Sequence, residues 1–85
     1  MYDLVSFAGR GKIRKKVLKA LLKTNSPTEL ARQLDIERST ISRAILELQE
    51  KGLVECLTPD ERMGRYYRIT DVGRKVVDVI EGKAD

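Results

Sequence analysis

The chain has 85 residues, a single cysteine, Cys56, and no histidine. One cysteine makes no internal disulfide, and without histidine a zinc site of the Cys/His type has no ligand set. The same absence removes any histidine-dependent nucleophilic triad. Carboxylates are plentiful, but none stands in an apolar setting that would tune a general acid against a base. An enzyme is therefore not expected, and neither is a cofactor. Apolar runs of membrane-span length are missing too. Met1-Tyr2-Asp3-Leu4 lacks the basic region and long apolar stretch of a secretory signal. The expectation is a cytoplasmic, chromosome-associated protein with no membrane partner. At this length no separate ligand-sensing or catalytic domain is expected, and no small-molecule effector pocket is evident.

What is present is a compact, charged chain. Apolar residues make up 41%, enough for one core and too many for disorder. The formal net charge of +4 points weakly to a polyanion, and its distribution says more. Seven Lys and Arg (Arg10, Lys12, Arg14, Lys15, Lys16, Lys19 and Lys23) fall between positions 10 and 23 with no acid among them. The rest of the chain is slightly acidic. The excess positive charge thus belongs to one element.

Periodicity and caps divide the chain. Residues 1–11 read as an N-terminal arm, with Leu4, Val5 and Phe7 before a flexible Gly9-Arg10-Gly11, able to pack on the domain or on a second copy. From Lys12 to about Lys23, Ile13, Val17, Leu18, Ala20, Leu21 and Leu22 follow helical spacing. Ser26-Pro27-Thr28-Glu29 is a strong helix start: Ser26 as cap, Pro27 at the first position, Glu29 completing a capping box. Leu30, Ala31 and Leu34 line the inside of that second helix. After Asp35-Ile36-Glu37 a longer helix, about 38–51, places Ile41, Ala44, Ile45 and Leu48 inward and ends at Gly52. Residues 53–58 and 65–69 read as two strands around a turn-rich tip. Thr70 caps a last helix with Val72, Val76, Val77, Val79 and Ile80. A tail, 83–85, follows.

Two helices joined by a short turn and followed by a hairpin form a helix-turn-helix with a wing. The fold class expected is α+β, mostly helical: a three-helix bundle, a β-hairpin wing and a C-terminal helix over residues 12–82. The sequence resembles the winged-helix transcription regulators of the MarR and ArsR type, in their short archaeal form. The resemblance rests on the run 26–36 beginning Ser26-Pro27-Thr28-Glu29-Leu30-Ala31, on Arg38-Ser39-Thr40-Ile41-Ser42-Arg43, and on Leu48-Gln49-Glu50-Lys51-Gly52-Leu53-Val54. It closes with Tyr67-Arg68-Ile69-Thr70-Asp71-Val72-Gly73. Such regulators usually place a small residue or glycine where Asp35 stands and a serine-like cap where Glu37 stands.

Candidate contacts follow from the helical wheel at about 100° per residue. Opposite the inward residues of the third helix lie Ser39, Ser42, Arg43 and Leu46. Small hydroxyl residues let a helix sink into the major groove, where Arg43 can read a guanine edge or clamp a phosphate. The reading set is Arg38, Ser39, Thr40, Ser42 and Arg43, as opposed to a merely solvated face. Glu47 and Glu50 would repel phosphate, which confines contact to the first half of the helix. Leu46 has three candidate surfaces: a thymine methyl, the underside of the wing, or a partner. The resemblance implies that Arg62 and Arg65, at a wing of about 59–65, enter the minor groove or hold its phosphates. Thr28, Arg10, Lys12, Arg14, Lys15 and Lys16 are candidates for the DNA backbone, with a plain solvated helix face as the alternative for the basic set. Tyr66 and Tyr67 alternate between surface and core, and Cys56 reads as a small buried apolar residue.

The expected function is sequence-preferring binding of double-stranded DNA to regulate transcription, as a homodimer joined through the arm and the valine-rich last helix. The alternative is a winged helix serving as a protein-interaction module in a transcription or assembly complex, which Leu46 and the acidic second half of the third helix favour. An RNA-binding winged helix is a third reading.

Overall fold

The computed structural model describes residues 2–62 and 64–82; the tail expected at 83–85 lies outside them. Five helices and a two-stranded antiparallel sheet follow one another as α1 (Tyr2–Arg10), α2 (Lys12–Ala20), α3 (Pro27–Leu34), α4 (Arg38–Glu50), β1 (Val54–Cys56), β2 (Tyr67–Ile69) and α5 (Asp71–Ile80). This is a winged helix, mostly helical, with α3 and α4 as the helix-turn-helix. The segment expected to be an arm is instead a helix. Gly9 and Arg10, expected to be flexible, belong to its last turn. Leu4, Val5 and Phe7 lie against the core around the buried Ala8, so α1 packs on the domain itself. It rests on α2 and α5, with Gly9 beside Ile80. Part of the valine-rich surface of α5 is thereby covered within the chain.

The core is built by the residues whose spacing anticipated it. Ile41, Ala44, Ile45 and Leu48 of α4 meet Val17, Leu18 and Leu21, together with Leu30 of α3. Leu22 and, on α5, Val72 are exceptions, both exposed. α2 ends at Ala20, and Leu22 falls in the turn beyond it, exposed. At the head of α3, Ser26 Oγ accepts the Glu29 N–H at 3.3 Å, as a cap should. The other half of the expected capping box is differently made: the Ser26 N–H donates to Asn25 Oδ1 at 2.9 Å, and the Glu29 carboxylate pairs with Arg32 at 3.4 Å. Asp35 ends α3 in the left-handed conformation, φ 55° and ψ 48°. That backbone requirement explains why a small residue or glycine suits this turn; Asp tolerates it better than most side chains.

The end of α4 carries a paired closure. Gly52 takes φ 75°, its N–H donates to Gln49 O at 2.9 Å, and the Leu53 N–H donates to Leu48 O at 2.9 Å. This is the Schellman pattern, with Leu53 and Leu48 both buried beneath it. The wing then pairs Val54 with Ile69, Glu55 with Arg68 and Cys56 with Tyr67. The Leu57 N–H extends the ladder to Tyr66 O at 2.8 Å. β2 is flanked on its other side as well. Asn25 and Tyr67 exchange both backbone hydrogen bonds, at 3.0 and 2.8 Å, and the Ile69 N–H donates to Leu21 O at 2.8 Å. The loop between α2 and α3 therefore acts as a third strand and fixes the wing to the helix-turn-helix.

α5 closes over this arrangement. Thr70 Oγ1 accepts the Gly73 N–H at 3.1 Å and donates to Gly52 O at 2.7 Å, while the Thr70 N–H donates to Leu53 O at 3.0 Å. Gly73 meets the hairpin so closely that an added Cβ would stand 2.2 Å from Leu53 O and 2.6 Å from Ile69 Cγ1. One junction thus holds the end of α4, the root of the wing and the start of α5.

Candidate nucleic-acid interface

α4 presents two flanks. On one side an open groove of about 230 Å³ runs between the head of α3, the start of α4 and the wing. Ser26, Pro27 and Thr28 form one wall, Arg38 and Ser42 the floor, and Arg62, Gly64, Arg65 and Tyr67 the other wall. The positive end of the α3 helix dipole faces the same side. The lining holds three arginines from two elements and no acidic side chain among the described residues. None of Arg38, Arg43, Arg62 or Arg65 lies within ion-pairing distance of a carboxylate among those residues. Arg65 Nε donates to Glu61 O, which braces the wing tip. Tyr67 is buried with its backbone in the sheet, whereas Tyr66 is exposed, so the alternation of the pair is as expected.

The other flank faces α2. Thr40, Arg43, Ala44 and Glu47 border a shallow hollow of about 300 Å³ whose far side is Gly11, Lys12, Ile13 and Arg14. Arg14 is engaged inside the chain. Its Nε is 3.2 Å from Glu47 Oε1, its Nη1 donates to Phe7 O at 3.1 Å, and its guanidinium stands 4.1 Å from the Phe7 ring centroid. Lys51 Nζ approaches the same ring at 5.5 Å. Arg14 is thus a tie between α1, α2 and α4, and the structure does not bring it into the groove with Arg38, Arg62 and Arg65. No local sequence pattern signals a contact across 33 residues, and that is why Arg14 read as one more member of a basic run.

The remaining sequence candidates divide. Lys12 borders Thr40 and Arg43 and so continues the exposed start of α4. Lys15 and Lys16 are exposed on the side of α2 opposite Val17 and Leu18, away from the core that meets α4. Arg10 is exposed at the end of α1. Ser39 and Arg43 are exposed, while Thr40 and Ser42 are half-buried on the two opposite flanks. Asn25 was not anticipated at all; its role depends on the bridge to Tyr67.

A family model described as the HVO_A0261 N-terminal domain matches residues 2–84. The chain belongs to that family. A solved structure of a MarR family transcription regulator is similar to it, with a TM-score of 0.77 and 24% sequence identity. That likeness covers 94% of this chain and 55% of the other, so the chain spans about half the length of its neighbour. No curated protein sequence matches. At this identity the neighbour shows the fold, a MarR-type winged helix. In this HVO_A0261 N-terminal domain, the groove therefore lies between a helix-turn-helix and its wing. Among the described residues no helix is long and apolar enough to cross a membrane.

Proposed function

We propose that this domain binds double-stranded DNA with sequence preference and acts in transcription regulation. The observation that supports it is the groove in which Arg38, Arg62 and Arg65 converge with the head of α3 and Thr28, with no acidic side chain among its described lining residues. The start of α4, with Ser39, Thr40, Ser42 and Arg43, enters the major groove, and the wing arginines lie along the adjacent backbone or minor groove. Phosphate contacts supply affinity and base edges supply preference. Lys12 extends the backbone contacts past the other flank; Arg10, Lys15 and Lys16 add a more remote field. One module covers little DNA, so useful affinity calls for a homodimer on two half-sites.

The test is binding of the whole chain to random-sequence duplex DNA over a salt series. A steep fall in affinity with rising salt is the expected result. No measurable binding at low salt would refute the reading and favour a protein-interaction module. Sequences selected from a random duplex library then report the dimer: paired half-sites about 10 bp apart support it.

A further inference from the structure

Among the described residues Leu46 is the most exposed of the large apolar side chains, at 59%. It stands on α4 in line with Ser39 and Ser42, directly opposite the buried stripe of Ile41, Ala44, Ile45 and Leu48. The wing does not cover it. Nor does the acid beside it repel a polyanion at full strength, because Glu47 is drawn toward α2 and paired with Arg14 at 3.2 Å. The outward face of α4 therefore continues beyond its first turns. It runs from the two small hydroxyl residues past the exposed Arg43 to an aliphatic one, with no acidic side chain between Ser39 and Leu46. We propose that Leu46 is a specificity-determining residue that packs on the C5-methyl of a thymine in the major groove. This rests on the DNA-binding reading above. The occupant follows from continuity: the same face begins with the residues that meet base edges. The C5-methyl of thymine is the one apolar group that the four bases present in that groove.

The test starts from the tightest duplex that the full chain selects from a random library. Each thymine of that duplex is replaced singly by deoxyuridine, which lacks only the methyl group. Wild-type protein should lose about fourfold in affinity at one thymine per half-site, the size expected for one buried methyl. Leu46→Ala should bind the thymine and deoxyuridine duplexes equally at that position. Alanine on an exposed helix face keeps the helix intact, and the circular dichroism melt checks it. An effect of deoxyuridine that persists in Leu46→Ala, or no effect of deoxyuridine anywhere in wild type, would overturn the assignment while leaving DNA binding in place. Failure of both proteins to bind the library at low salt would overturn the DNA reading and this assignment with it.

Discussion

The two flanks of α4 carry similar residue types and use them differently. Toward the wing, Arg38, Arg62 and Arg65 line an open groove whose described lining holds no acidic side chain. Toward α2, Arg14 is drawn in by a carboxylate, a backbone carbonyl and an aromatic ring. What differs is where the arginine donors are used. On the first flank all but Arg65 Nε, which donates to Glu61 O, are left for a ligand phosphate; on the second they join three helices of the chain. A basic residue count treats both alike, and the contrast shows why such a count is a poor map of a binding surface.

Substitutions can break this contrast from either side. The largest effect is expected from Gly73→Ala. The added methyl meets Leu53 O and Ile69, so α5 or the root of the wing must shift. A loss of about 2–4 kcal/mol in stability is expected, as for overpacking combined with backbone displacement. Urea unfolding measures it, and hydrogen exchange should show the wing side of α4 loosening before the α2 side. Stability within about 0.5 kcal/mol of wild type would mean that the junction yields without strain.

Next comes Arg62→Ala with Arg65→Ala. The double variant should lose about tenfold or more in DNA affinity, with the slope of log affinity against log salt falling by about 2. Fluorescence anisotropy across the salt series reads both quantities, and an unchanged slope would remove the wing from the interface. Arg14→Gln should behave in the opposite manner. It is expected to lower stability by roughly 1–2 kcal/mol, since it removes a hydrogen bond to a carbonyl, a cation–π contact and a partly exposed ion pair. Its salt slope should remain that of wild type; a fall of about 1 would make Arg14 a phosphate contact after all. The smallest change is Asp35→Gly in the turn between α3 and α4. Relief of the left-handed backbone should raise stability by a few tenths to about 1 kcal/mol, with DNA affinity unaltered. A lower melting temperature would show that the Asp35 side chain stabilises the turn.

Much of the fold was legible in the sequence because its signals act over short separations. The cap of α3 spans Ser26 to Glu29, and the αL closure of α4 at Gly52 spans a single turn. The inward residues of α4 repeat every three or four positions and are buried as expected. The N-terminal segment was harder. α1 is only 9 residues long, with glycine as its penultimate residue, and such a helix draws its stability from packing on α2 and α5 rather than from its own propensity. Its apolar residues were visible, but the surface that covers them was not. The candidate site divides in the same way. Residue types at the start of α4 and at the wing could be read, whereas the grouping of Arg38 with Arg62 and Arg65 required the hairpin to fold back.

By itself, then, the sequence determined the succession of helices and strands from α2 to α5, the inward and outward faces of α4, and the lack of a Cys/His ligand set within these 85 residues. These follow from composition and from backbone periods that repeat within a few residues. Tertiary structure alone decided that α1 is a packed helix, that the Asn25–Tyr67 bridge fixes the wing, that Arg14 and Glu47 neutralise each other, and that Leu46 remains uncovered. Each of these depends on groups far apart in the chain. The free energy that brings them together comes from burial of the shared core, and no local pattern encodes which distant partner a side chain will meet.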